Sequence, residues 1–270
     1  MPFSVLMSLY WKERPEFLRQ SLESVFDQSL MPDEVVMVED GPVGEELEAV
    51  VREFSAKHPE MKVVRLPRNG GLGPALNEGL KHCSHELVAR MDTDDIALPQ
   101  RFERQVGFME GHKDIDLCSA WIEEFINDNP DEITSIRKLP ETPEELYEYG
   151  KRRCPVNHPV AMFRKRAVEK AGSYQPLYLF EDYYLWARML VGGAKMYNIQ
   201  DSLLRFRTSA DMYNRRGGLK YALAERSLLW KFYKLGYVGL FSTLKNMTMR
   251  FIVRVMPNRL RSFVYTHLLR

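Results

Sequence analysis

Through residue 126, short apolar runs alternate with stretches of helical spacing. FSVLMSL at Phe3–Leu9 is mostly apolar and has the length of a buried strand. Pro15 then opens a helix at its first turn. Leu18, Leu22, Val25 and Phe26 place one apolar face on it. EVVMV at 34–38 predicts a second strand, closed by the turn residues Glu39-Asp40-Gly41-Pro42. The same logic predicts a helix over 44–57, a strand over 61–66 and a turn at Arg68-Asn69-Gly70-Gly71. A helix over 72–82, a strand over 87–91, a helix over 99–110 and a strand over 116–126 follow. Repeated strand–helix units of this kind predict an α/β fold with a mainly parallel central sheet flanked by helices.

Ligands of such sheets bind beyond the carboxyl ends of the strands. Three polar turns fall at that edge: Ser8-Leu9-Tyr10, Glu39-Asp40-Gly41 and Asp92-Thr93-Asp94-Asp95. Further on, 127–153 is polar, contains Pro130, Pro140 and Pro143, and predicts a long connection with one short helix near 144–149. A helix over 180–191 begins with Glu181-Asp182, edge strands are expected at 196–199 and 203–206, and the pattern is helical from about 219 onward.

Composition changes this picture in two ways. With 45% hydrophobic and 28% charged residues in 270, the chain can bury a sizeable core, which excludes disorder as the general state. The net charge of +1 conceals a split: 212–270 holds twelve Lys/Arg and one acid, while 1–211 holds 26 basic and 36 acidic residues. An acidic body with a basic tail predicts an anionic surface as partner. Before Pro257 the tail places Leu240, Leu244, Met247, Phe251 and Val255 on one helical face, flanked by Lys245, Arg250 and Arg254. After it, Leu260, Phe263, Val264 and Leu268 repeat the pattern with Arg259, Arg261 and Arg270 on the rim. Basic amphipathic helices of this kind lie in a membrane interface; packing on the domain is the alternative. The acidic body and the lack of a reader motif argue against nucleic acid. Cys83, Cys118 and Cys154 form no CxxC pair, which favours a reducing cytoplasm over a disulfide framework or zinc site. Neither a signal peptide nor a run of roughly 18 apolar residues is expected. The expected location is cytoplasmic, peripherally associated with the inner face of the cell membrane.

The acidic turn carries the chemistry. Period-two geometry puts Asp92 and Asp94 on one side of an extended segment, with Thr93 on the other. Two carboxylates so placed can share a hard cation, Mn²⁺ or Mg²⁺, whose shell is completed by water and substrate phosphates. A solvated Asp-rich turn is the alternative for this stretch alone. The other acidic turns at the same edge favour the site.

Three stretches, FSVLMSLYWKERPEFLRQSLESVFDQSLMPDEVVMVEDGP, RNGGLGPALNEGL and RMDTDDIALPQRFERQ, resemble the nucleotide-sugar-binding half of family 2 glycosyltransferases. NHPVAMFRK and LFEDYYLWARML resemble that family's acceptor half, and the likeness is nearest to bacterial exopolysaccharide and O-antigen enzymes of the amylovoran type. The resemblance implies a GT-A (Rossmann-like) catalytic domain over 1–211, with a nucleotide-sugar-binding half at 1–125 and an acceptor half at 126–211, followed by the tail at 212–270. It implies inverting, metal-dependent transfer from a nucleoside diphosphate sugar, a UDP-sugar foremost, to a lipid-linked saccharide in surface polysaccharide synthesis. Residue by residue, it implies Ser8 and Tyr10 against the base, with Tyr10 stacking, and Asp40 accepting a hydrogen bond from the base. Asp92 would contact the ribose or the ion through water, Asp94 would ligate the ion, Asp95 would shape the turn, and Asp182 of the Glu181-Asp182 pair would be the general base.

The chain departs from the family pattern in places. Glu39 stands where Asp is frequent, Ala75-Leu76 precedes Asn77 where Arg is frequent, and the QxxRW motif of processive synthases is absent, which implies addition of a single sugar. Arg205 and Arg207 are expected either at the diphosphate or on a solvated basic edge. His158 is expected in the acceptor pocket or in a structural turn. Trp186, four residues beyond Asp182, is expected to contact a sugar. Gly70, Gly71 and Gly73 do not form a dinucleotide fingerprint. Rival readings are a haloacid-dehalogenase-type phosphatase, a nucleotidyltransferase of similar fold, and a non-catalytic sugar-nucleotide-binding protein at the membrane.

Overall fold

The computed structural model describes residues 1–126, 129–208 and 218–255. β1 (Phe3–Leu9), β2 (Glu34–Glu39), β3 (Met61–Arg65) and β4 (Leu87–Asp92) pair in parallel in the order β3-β2-β1-β4. Their crossovers contain α1 (Pro15–Phe26), α2 (Glu45–Lys57) and α3 (Leu72–His82). Up to this point the elements coincide with those expected from the hydrophobic pattern.

Beyond β4 the sheet becomes mixed. β5 (Ile96–Ala97), α4 (Arg101–Gly111), β6 (Leu117–Ile126), β7 (Ile133–Arg137) and α5 (Pro143–Tyr149) follow in the chain. Next come β8 (Met162–Arg164), α6 (Lys165–Lys170), α7 (Glu181–Val191) and β9 (Met196–Thr208). β8 sits antiparallel between β4 and β6, and β9 runs parallel to β6 and antiparallel to β5. The two edge strands expected at 196–199 and 203–206 are thus one strand inside the sheet. Its register slips where Ile199 pairs with Ala120 and Ser202 with Trp121. The polar Gln200-Asp201 pair that reads as a turn is the bulge. β7, β8 and α6 carry too few alternating positions to stand out in the sequence.

Helices cover both faces. α1, α2 and α4 pack on the side holding Val5, Met7, Ala89 and Met91. α3, α7 and α8 (Gly218–Lys234) pack on the side holding Leu6, Val36, Val38 and Val88. α3 lies so close to the sheet that a Cβ on Gly79 would come within 2.4 Å of the Leu6 side chain.

α8 is anchored by Leu228 and Phe232, and by ring contacts of Tyr221 with Phe180 and of Phe232 with Tyr183. α9 (Leu240–Val255) packs along α8. Its rotation differs from the expected face. Arg250 and Arg254 turn inward to the buried Glu225, at 2.8 and 3.0 Å, which draws Met247 and Phe251 partly under cover. Leu240, Phe241, Leu244 and Ile252 face outward instead. The expected segment beyond Pro257 and the 211/212 boundary lie outside the described residues. Among the described residues no helix is long and apolar enough to cross a membrane.

Candidate active site

β1 and β4 are neighbours in register, with Ser8 opposite Asp92, so both side chains project to the α3/α7 side at the carboxyl end of the sheet. Asp40 follows β2 at the same end. Its Oδ1 and Oδ2 accept from the N–H groups of Gly70 (2.7 Å) and Gly71 (2.9 Å), and Asn69 Nδ2 donates to its carbonyl. Gly41, at φ +82°, permits that approach: a Cβ there would lie 2.5 Å from the Asn69 nitrogen. Asp40 therefore has a structural task that its expected role at the base did not include: it holds the turn ahead of α3. Glu39 points to the opposite side, where Arg65 pairs with it at 3.0 Å. Tyr10 lies beyond β1, 38% exposed.

In the acidic turn burial alternates, with Asp92 and Asp94 partly open and Thr93 and Asp95 buried. One carboxylate oxygen from each of Asp92, Asp94 and Asp95 lies within 4.8 Å of the others. Burial, then the charges of Asp92 and Glu13, push the Asp94 carboxyl up to about 7. Asp95 is raised by burial and by Asp94; its Oδ2 is buried without a partner, while its Oδ1 accepts the Arg207 backbone N–H at 2.9 Å. This donor set fits a hard divalent cation: oxygen-only, over-charged for its degree of burial, with one orphaned oxygen.

A fourth carboxylate, Glu13, accepts from the Thr93 hydroxyl at 3.0 Å and is raised by burial. Neither Glu13 nor Arg90, which lies beneath Asp92, was among the expected site residues. Arg90 did leave a signal: at two residues before Asp92 in a strand, it must share that face.

The structure overturns the expectations for Arg207 and Trp186. Arg207 is buried: its Nε donates to the Asp94 carbonyl at 2.9 Å, its Nη2 to Gln20 Oε1, and its guanidinium stacks 3.7 Å from the Phe17 ring. It clamps the turn rather than reaching into solvent for a diphosphate. Arg205 is bound to Asp131 and Glu123. Trp186 is fully buried against His158 and Phe163, because Leu185 to Leu190 face a closed core; no sugar reaches it. His158 is the structural alternative, buried with Nε2 2.9 Å from the Tyr174 hydroxyl and held well below its ordinary pKa by burial.

α7 brings Asp182 to the same face. Its Oδ1 accepts from the Tyr183 N–H at 2.7 Å; burial raises the carboxyl, Arg90 pulls it down and Asp92 pushes it up. A group separated by some ninety residues from Asp92 thus shares its electrostatic environment. Glu181 lies against α3, where a Cβ on Gly73 would meet its Cγ at 3.4 Å. The loop ahead of α7 is tied to α3 by Asn77, which donates to the Tyr174 carbonyl and accepts its N–H. In that loop Leu179 is exposed at φ +61°, a conformation non-glycine residues hold only where the surroundings impose it.

The raised Asp94 has a consequence for stability. Between its ordinary 3.8 and about 7 the folded chain holds more protons than the unfolded one, so the metal-free protein loses stability as pH rises through that window. In chelator, Asp94→Asn is expected to melt several degrees above wild type near pH ~8, with the two converging near pH ~4. Equal melting temperatures at the upper pH would contradict this account of the turn.

Comparison with known proteins identifies the family and the fold. The profile described as Glycosyl transferase family 2 matches residues 4–172. The UDP-Gal:alpha-D-GlcNAc-diphosphoundecaprenol beta-1,3-galactosyltransferase of Escherichia coli is 38% identical over 268 residues, spanning 99% of this chain and 96% of that one. The amylovoran biosynthesis glycosyltransferase AmsE of Erwinia amylovora is 41% identical over 263 residues, 97% of each chain. The crystal structure of S. aureus TarS 1-349 in complex with UDP-GlcNAc superposes with a TM-score of 0.66 at 18% identity, covering 94% of this chain and 72% of that one. The fold is that of GT-A glycosyltransferases. The match over most of the chain and the full-length relatives show that this protein is a glycosyltransferase and belongs to glycosyl transferase family 2.

Proposed function

We propose that the protein transfers one sugar, with inversion, from a UDP-sugar to a lipid-linked saccharide at the inner face of the cell membrane, in surface polysaccharide synthesis. The observation that carries this reading is the convergence of Asp92, Asp94 and Asp182 on one face of one sheet edge. Ser8 and Tyr10, at the open end of β1, form the nucleoside side, with Asp40 holding the adjoining turn. Asp94, with Asp92 beside it, would hold Mn²⁺ or Mg²⁺, which would supply electrostatic stabilisation to a departing diphosphate. Asp182 stands apart from the turn on α7 and takes the proton of the acceptor hydroxyl, as inversion requires of a group facing away from the leaving group. The E. coli relative, whose name specifies UDP-Gal and a diphosphoundecaprenol acceptor, supports both substrates by its near full-length identity. The assay that tests the reading is acceptor-dependent release of UDP from a panel of UDP-sugars with Mn²⁺. Absence of turnover on every pyrophosphoryl-lipid acceptor would overturn it.

The membrane part of the reading rests on the outward faces of α8 and α9. Leu223, Trp230, Leu244 and Ile252 are exposed, Phe241 is 82% exposed, and the sole acid of 212–270, Glu225, is turned inward to Arg250 and Arg254. The described outer surface of these helices therefore combines apolar side chains with Lys220, Arg226, Lys234 and Lys245, which suits anionic lipid. The double variant Phe241→Asp/Ile252→Asp is expected to float with phosphatidylglycerol vesicles at least ~10-fold less than wild type, with activity on a soluble acceptor analogue unchanged. Equal flotation would remove α9 from the membrane contact.

A further inference from the structure

Arg90 is 2% exposed, deep in the sheet on the face that carries the acidic turn. Burying a guanidinium is costly unless all its donors are satisfied, and Arg90 Nε has no partner. What holds the side chain is Asp92: Nη1 donates to Oδ2 at 2.6 Å and Nη2 donates to Oδ1, a two-pronged contact that fixes the carboxylate plane. From below, Arg101 Nη2 donates to the Arg90 carbonyl at 2.6 Å, and from α1 the Ser21 hydroxyl donates to the Asp92 carbonyl. Both Asp92 oxygens thus accept from one guanidinium. Asp94, on the same side of the turn, has no cationic side chain on its carboxylate among the described residues. Two neighbouring aspartates therefore differ in what they can offer to an ion.

We propose that Arg90 is a positioning residue for the transfer: its buried fork locks Asp92 as an outer, pre-set partner of the donor and its ion, and leaves direct ligation to Asp94. This rests on the metal-dependent reading above. Lysine keeps the charge but not the fork, so Arg90→Lys isolates the geometry.

The measurement is Mn²⁺ binding in the presence of UDP, by titration calorimetry, on Arg90→Lys, Asp92→Asn, Asp94→Asn and the Arg90→Lys/Asp92→Asn double variant, each checked for a wild-type circular dichroism spectrum and a cooperative metal-free melting transition. Arg90→Lys and Asp92→Asn are each expected to weaken binding ~10- to 100-fold, as outer-shell changes do. The double variant should be no weaker than Asp92→Asn alone, since Arg90 acts through Asp92. Asp94→Asn should lose more than either. Wild-type affinity in Arg90→Lys, or losses that multiply in the double variant, would overturn the proposal. If Arg90→Lys does not fold, the comparison of the two aspartate variants decides: a loss for Asp92→Asn equal to that for Asp94→Asn overturns the locking of Asp92, and a smaller one supports it. Unchanged binding in all the single variants would overturn the metal reading together with this one, a result distinct from the others.

Discussion

Asp94→Ala is expected to lower the rate of metal-dependent transfer by ~10³-fold or more and to leave the fold intact. The side chain projects from a turn held by other groups: Asp95 and Arg207 fasten its backbone, and Ser21 fastens that of Asp92. Removing the carboxylate therefore takes away the proposed ligand without taking away the support. It also removes a charge that the protein holds against burial and against Asp92 and Glu13. The metal-free variant should accordingly be no less stable than wild type above neutral pH. Loss of turnover together with a retained or raised melting temperature is the signature. Retention of full Mn²⁺-dependent activity would show that the donor diphosphate is neutralised elsewhere.

The second large effect is expected at Asp182. Asp182→Asn keeps the side-chain oxygen that accepts from the Tyr183 N–H and removes the ability to take a proton. The maximal rate should fall by ~10²- to 10⁴-fold, the usual contribution of a positioned base. The KM for the UDP-sugar should change by no more than a small factor, because Asp182 lies on α7 and not in the acidic turn. The pair of measurements separates the two aspartates: Asp94→Ala weakens donor and metal binding, Asp182→Asn spares both. An Asp182→Asn enzyme with wild-type turnover would move the base to Glu181, which sits beside it at the start of the same helix.

Much of this architecture is legible in residues 3–126, because there each element is long enough to show its period. β1, β2 and β4 are buried on both faces and read as apolar runs, while α1, α2 and α3 each bury one stripe. The second half is less legible for a local reason. β8 has three residues and β5 two, too few for any period, and β9 hides a bulge inside what resembles a loop. The candidate side chains divide in the same way. Asp92 and Asp94 stand out by spacing at the end of a strand. Trp186 stood out by spacing as well, and wrongly, since four residues along a helix places it beside Asp182 in projection while the helix buries that side.

By itself the sequence determined the alternation of strands and helices, the strand edge at which the polar turns collect, and the charge split between body and tail. These are properties of local composition and periodicity, and each survives without knowledge of partners. Only the tertiary structure decided which charges are spent. Arg90 is consumed by Asp92, Arg207 by the turn backbone, and Arg250 and Arg254 by Glu225, while among the described residues no cationic side chain pairs with the Asp94 carboxylate. A side chain's availability depends on what distant segments bring within hydrogen-bond range. That information lies in packing between elements such as β4, β9, α8 and α9, and no window of the chain contains it.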